Sequence, residues 1–356
     1  MELISVFLLK EKGNNSVCKK LFLLFVLSTT LCFSQKSDFK HINFAKADRI
    51  ASTIKSKRLF NLNKLTFDLT KNLDTDIEKV RAIYKWICLN IASDFKLYSK
   101  NERKRKKYKK DSIKLAEWNS ELKRDLFSKL LKRKKTICTG YAYLFKAMCD
   151  VVDIESKMVY GFGRTLDITE FDPNYPNHTW NAFKINNKWY LCDATWAAGI
   201  SYPDENRFIF KYNDGYFLTE PELFIKNHFP IQKEFSLLGD KMPTFQEFIE
   251  MPLLYGGAYT YLNKYISPKK MYYSLQKGNI FNFNYVFKKE VDPKNLKLVF
   301  VSGVSEKTYN PFISQKNDTT SLKYTFNKAG YFDVHLYYKE DIIVTYIFEI
   351  KKDNKN

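Results

Sequence analysis

The chain is poor in the residues that build metal modules and disulfide scaffolds. Its 356 residues include only six cysteines and four histidines. None of the cysteines form a Cys-x-x-Cys pair, which argues against a Cys/His zinc module. Six cysteines are also too sparse to staple a chain of this length. No loop has regularly spaced oxygen ligands for calcium. Glu170, Asp172, Asp204, Glu205 and Asp214 read as surface acids. We therefore expect no metal and no cofactor. Acids are scarce as well, 39 against 59 Lys and Arg, for a formal charge of +20. That balance speaks to solubility and anionic partners, not to fold. No internal repeat is visible.

Apolar residues are not lacking. Hydrophobic side chains make up 45% of the chain and aromatics 17%. That is enough for a large core and excludes a mainly disordered chain. The length predicts two domains. Near the N-terminus, Lys19-Lys20 precede an apolar run over residues 21–33 that ends in Ser34-Gln35. The run has the length of a signal-peptide core and is short for a membrane span. Residues 1–34 are thus expected to be a signal peptide, cleaved near Ser34, leaving no transmembrane anchor. Export to the periplasm, cell surface or medium follows, and it argues against nucleic acid as a partner.

Residues 35–64 read as a helical arm. Asp76 and Glu78 then open a helix with acids in its first turn, as the helix dipole prefers. Val80, Ile83, Tyr84, Ile87 and Ile91 recur along it at helical spacing. Residues 100–135 carry 16 Lys and Arg against five acids. We read them as a solvated helical insertion that catalysis does not need and that an anionic cell-envelope polymer could bind. A helix follows over residues 138–152. Strands come next, and Asn186-Asn187 makes a two-residue hairpin turn between residues 179–185 and 188–193. Residues 205–255 look irregular. From about residue 265 to 352 alternation of apolar and polar residues predicts an antiparallel sandwich. His335 is read there as a surface histidine.

One constellation offers chemistry. Cys138 opens the 138–152 helix, where free amides and the positive dipole end favour a thiolate. With the turn at Asn186-Asn187, Trp180 faces Asp193 and His178 faces Thr195. His178 and Asp193 then lie on one face as diagonal neighbours, within reach of each other. A carboxylate so placed fixes the imidazole tautomer, and the imidazole can take a proton from the thiol. Trp180 is the tryptophan best placed to touch a substrate. Trp86 and Tyr98 are positional candidates for an oxyanion donor.

Three motifs in order carry a resemblance: residues 136–145 (TICTGYAYLF), 177–190 (NHTWNAFKINNKWY) and 193–199 (DATWAAG). Together they resemble the core of the transglutaminase-like superfamily, in the branch that includes kyphoscoliosis peptidase. Residues 79–87 (KVRAIYKWI) are similar to the helix that precedes the core in that branch. The resemblance implies a papain-like α+β cysteine core over residues 65–250, with the basic insertion at 100–135, and an immunoglobulin-like β-sandwich over 265–352. It implies Cys138 as nucleophile, His178 as general base and acid, and Asp193 as its orienting group. The expected activity is acyl transfer from an amide or peptide bond, making an exported cysteine peptidase or amidase that acts on protein or peptide substrates. A cross-linking transglutaminase and a non-catalytic envelope scaffold are the alternatives. Ala197 stands where a glycine would be expected.

Overall fold

Thr75 starts the helix that anchors everything else. In the computed structural model, which describes residues 35–55, 59–165, 172–202 and 205–352, its side chain caps the helix and Glu78 returns the bond to the Thr75 amide. This reciprocal cap satisfies donors that the first turn leaves free. The expected signal peptide lies outside the described residues.

The helices are α1 (Ala45–Thr53), α2 (Leu62–Thr70), α3 (Asp76–Asn90), α4 (Phe95–Tyr108), α5 (Ser112–Arg133) and α6 (Cys138–Val151). In α3, Val80, Ile83, Tyr84, Trp86 and Ile87 are fully buried, so the helix runs through the core and not across the surface. Tyr141 of α6 donates to the Ile91 carbonyl at 2.6 Å, and Phe145 of α6 meets Tyr84 edge-on. These contacts fix α6 against α3.

A four-stranded antiparallel sheet lies on the other side of α6. Its strands are β1 (Ser156–Gly163), β2 (His178–Ile185), β3 (Lys188–Cys192) and β4 (His228–Pro230), in the order β3-β2-β1-β4. Asn186 and Asn187 both adopt positive φ, the conformation that a tight hairpin turn requires. The register pairs Asn181 with Cys192 and Ile185 with Lys188, as the two-residue turn dictates. Asn181 donates to the Ala142 carbonyl and ties β2 to α6. Gly140 lets α6 start this close to the preceding segment: a Cβ there would sit 1.9 Å from the Thr136 hydroxyl. The short helix α7 (Ala194–Ala198) follows β3, and residues 205–255 are mostly short turns, as their composition suggested.

The basic segment folds as the α4–α5 hairpin, and it is not a free appendage. Arg105 donates to the Pro176 carbonyl at 2.8 Å, and Tyr175 donates to the Lys109 carbonyl at 2.8 Å. Both contacts brace the loop that leads into His178. The hairpin is thus packed against its neighbour, which the reading of a solvated insertion did not include. The reason is local: a long arginine crosses to the neighbouring loop while its lysine neighbours stay in solvent.

After helix α8 (Gly256–Tyr261) the described residues form strands, with one 3-10 turn at Pro293–Asn295. The strands are β5 (Leu262–Ser267), β6 (Tyr272–Gln276), β7 (Ile280–Phe287), β8 (Leu296–Ser302), β9 (Ser305–Tyr309), β10 (Phe312–Lys316), β11 (Thr319–Thr325), β12 (Gly330–Tyr338) and β13 (Asp341–Lys351). One sheet has the order β5-β7-β11-β10, the other β6-β13-β12-β8-β9. All neighbours are antiparallel except β6 and β13. Phe281 packs on Phe348 at 4.9 Å and Phe300 on Tyr324 at 4.8 Å, so the sheets face each other across aromatic rings. Leu253–Leu254 pair with β13 and α8 lies beside it, so one apolar core runs from α3 into these sheets. His335 is buried there and hydrogen-bonds Thr345 at 2.7 Å, a correction to its surface reading. Strand alternation identified its face correctly. What it missed is that His335 alone is buried on that face, between the partly exposed Asp333 and Tyr337.

Candidate active site

Ile137 is the N-cap of α6, and its side chain accepts no hydrogen bond from the first turn. The helix bonds begin with the Gly140 and Tyr141 amides, both reaching the Ile137 carbonyl. The Cys138 amide at the head of the helix therefore stays available to a ligand. The Cys138 side chain lines the same cleft as His178.

His178 is the first residue of β2. Its Nε2 lies 2.8 Å from Asp193 Oδ2, which leaves Nδ1 for the thiol. Asp193 follows β3 directly. Its Oδ1 accepts from the Thr195 and Trp196 amides at 2.7 and 3.2 Å, capping α7, and this aims Oδ2 at the imidazole. Tyr84 of α3 holds the Asp193 carbonyl at 3.1 Å. Gly163 makes room for the ring, since a Cβ there would come within 3.0 Å of His178. The Trp196 indole stacks on the imidazole at 4.7 Å. The structure therefore joins His178 to Asp193 and sets Cys138 in the same cleft as His178.

The electrostatics match this arrangement. Burial disfavours a charged His178, but the Asp193 carboxylate and the Cys138 sulfur outweigh it and raise its pKa to about 10. Burial would raise Asp193, but the His178 and His228 rings hold it well below the usual carboxylate range.

Sequence reasoning missed His228. Its Nε2 lies 3.0 Å from the same Asp193 Oδ2, and its Nδ1 lies 2.7 Å from Asn227 Oδ1. Burial lowers its pKa, against the pull of Asp193. His178, Asp193 and His228 are the described residues whose donor atoms converge as a metal site would require, all within 4.8 Å. Here both rings point at one carboxylate oxygen, and the cluster reads as a hydrogen-bonded one.

Cys138 and His178 open into a cleft of about 1350 Å³. Tyr98 and Trp196 line it, and Tyr337, Asp341 and Ile342 of the C-terminal hairpin form a far wall. Trp180 does not line it. It is 1% exposed, packed beneath the site with its ring 5.1 Å from His228. Its expected role as a substrate contact is therefore corrected: the side chain points to the core face of β2. Trp86 is excluded as an oxyanion donor, because its indole N–H bonds the Ile54 carbonyl deep in the helical layer.

A family model described as transglutaminase-like superfamily matches residues 63–194, which include Cys138, His178 and Asp193. Residues 63–194 thus match the transglutaminase-like superfamily. Curated relatives point to similarity with kyphoscoliosis peptidase. Kyphoscoliosis peptidase of Mus musculus and that of Homo sapiens are each 35% identical over 202 residues, 55% of this chain and 27% of theirs. Hillarin of Drosophila melanogaster is 25% identical over 227 residues, 60% of this chain and 25% of its own. The chain thus spans about a quarter of the length of these curated relatives. His228 lies beyond the stretch that the family model matches.

The cysteines give a first test. Cys88, Cys149 and Cys192 are fully buried, and burial raises the pKa of each. Limiting iodoacetamide is expected to modify Cys138 before any of them, as read by peptide mapping. Preferential labelling of another of these thiols would sink the assignment.

Proposed function

We propose that this protein is a thiol acyl-transfer enzyme with Cys138 as nucleophile, His178 as general base and acid, and Asp193 as the orienting group. What supports the reading is a buried imidazole–carboxylate pair at 2.8 Å in the same cleft as Cys138. In the first half-reaction the Cys138 sulfur attacks an amide carbonyl and His178 takes the thiol proton. The developing oxyanion lies at the free Cys138 amide. The C–N bond then breaks, and His178 returns the proton to the departing amine. In the second half-reaction His178 takes a proton from the acceptor, whose oxygen or nitrogen attacks the thioester. The acyl product leaves and the sulfur regains a proton from His178. With water as acceptor the enzyme is a peptidase or amidase. With an amine it is a cross-linking enzyme. We favour water, because the described cleft residues mark no separate amine site.

The fold around the site is read as papain-like. The strand orders β5-β7-β11-β10 and β6-β13-β12-β8-β9 fit an immunoglobulin-like sandwich. Export stays part of the proposal, carried by the apolar run at residues 21–33. The deciding experiment incubates the protein with a peptide library, with and without a labelled primary amine, beside Cys138→Ala. Cleaved peptides that need Cys138 support the hydrolase. Amine incorporation that needs Cys138 supports the cross-linking reading. Equal products from both proteins would remove Cys138 from the chemistry.

The proposed anionic partner has its own test. Arg103, Lys106, Lys107, Lys109 and Lys110 are exposed at the tip of the α4–α5 hairpin. Replacing Lys106, Lys107 and Lys110 with glutamine is expected to lower the salt needed for elution from a dextran-sulfate matrix. Cys138 labelling should stay unchanged, because these side chains do not make the Arg105 and Tyr175 braces. Unaltered elution would remove the hairpin as the docking surface.

A further inference from the structure

His228 sits where a simple thiol–imidazole–carboxylate triad needs nothing. It is 1% exposed, on a strand of three residues, and its Nε2 shares Asp193 Oδ2 with His178. Its other nitrogen decides the chemistry. Nδ1 faces Asn227 Oδ1. The orientation of that amide is fixed, because its Nδ2 donates to the Leu254 carbonyl at 2.7 Å and its Oδ1 accepts from the Tyr259 hydroxyl. Turning the amide over would set two carbonyl oxygens against each other. Nδ1 therefore faces an acceptor and carries a hydrogen.

A neutral imidazole has only one N–H. With that hydrogen on Nδ1, the Nε2 lone pair would point at a carboxylate oxygen 3.0 Å away. The contact is favourable only with a proton between them. Bare charge on this buried ring is disfavoured by burial and by the neighbouring His178. A proton held jointly with Asp193 meets both constraints.

We propose that His228 is a positioning residue that holds one proton in common with Asp193, so that Asp193 presents only part of its charge to His178. The inference rests on the reading of Cys138 and His178 as a thiol–imidazole pair. The carboxylate is clamped from two sides and cannot rotate away from His178. Its electrostatic pull on His178 is also weakened, which keeps the imidazolium a competent acid for the leaving amine. The titratable groups around His228 are Asp193 after β3, His178 on β2, Tyr216 in the turn before β4, and Tyr259 on α8, which acts through Asn227. The rings of Phe224, Trp180 and Trp196 complete the enclosure.

The test is the pH dependence of Cys138 alkylation by iodoacetamide in the full chain, wild type against His228→Gln. Glutamine can donate to Asp193 but cannot share a proton with it. Asp193 then acts on His178 as a full carboxylate, and the alkylation midpoints are expected to move up by about one pH unit. A merely structural loss would lower the amplitude without moving the midpoints. Unchanged or lowered midpoints in a folded variant overturn the proposal. A second measurement needs no variant. With only four histidines in the chain, ¹⁵N-histidine spectra of the wild type should show both His228 ring nitrogens hydrogen-bonded through protons, with a strongly downfield Nε2 proton. A bare Nε2 overturns the proposal even where the glutamine variant does not fold. If wild-type Cys138 is not selectively alkylated, the thiol-enzyme reading fails, and the spectra still decide the protonation of His228.

Discussion

Replacing His178 with alanine is expected to reduce turnover by about 10²–10⁴-fold while the protein stays folded. The ring bonds Asp193 and shares the cleft with Cys138. Without it the thiol has no proton acceptor and the leaving amine no donor. The fold should survive because Asp193 keeps His228 on the same oxygen, and its other oxygen still caps α7. The buried carboxylate is thus not orphaned. The measurement pairs a rate on any peptide that the wild type cleaves with the circular dichroism of both proteins. A folded His178→Ala protein with near-normal rates would overturn the mechanism.

The second large effect is on stability. Asp193→Asn is expected to cost about 3–5 kcal/mol, the range for breaking a buried ion pair. The amide oxygen can still cap α7, but the amide nitrogen would then face two ring nitrogens that donate to a carboxylate in the wild type. Urea unfolding of both proteins measures the difference. The pH dependence carries a signature as well. Asp193 has a lowered folded pKa, so its contribution is complete above about pH 3.9 and is lost as the pH falls through the folded value. His178 has a folded pKa raised to about 10. Its contribution is complete below about pH 6.5 and is lost as the pH rises towards 10. Wild-type stability should fall along both limbs, and Asp193→Asn should flatten both. A variant as stable as the wild type across this range would show that the cluster contributes little to folding.

Much of the site was legible because its determinants are local. A two-residue Asn-Asn turn sets the parity of β2 and β3, and parity alone puts His178 and Asp193 on one face. The first-turn acids of α3 are visible in the same way, because a capping box spans only four residues. His228 could not be read so. It lies on a strand too short to show alternation, and its link to Asp193 is purely tertiary. Trp180 misled for a related reason: its face was read correctly, but that face carries the site only at the strand end. Deeper along β2 it faces the core. The brace from Arg105 was hidden in a run of like charges, where nothing in the sequence separates a docked guanidinium from solvated lysines.

The far wall of the cleft comes from the turn between β12 and β13, distant in sequence from the residues that move protons. In the proposed enzyme, reactivity and admission would thus be encoded on separate stretches of the gene. On that proposal a lineage could rewrite the 337–342 loop, and so change which substrates enter, without touching Cys138, His178 or Asp193. A protein engineer can graft that loop from a homologue for the same purpose.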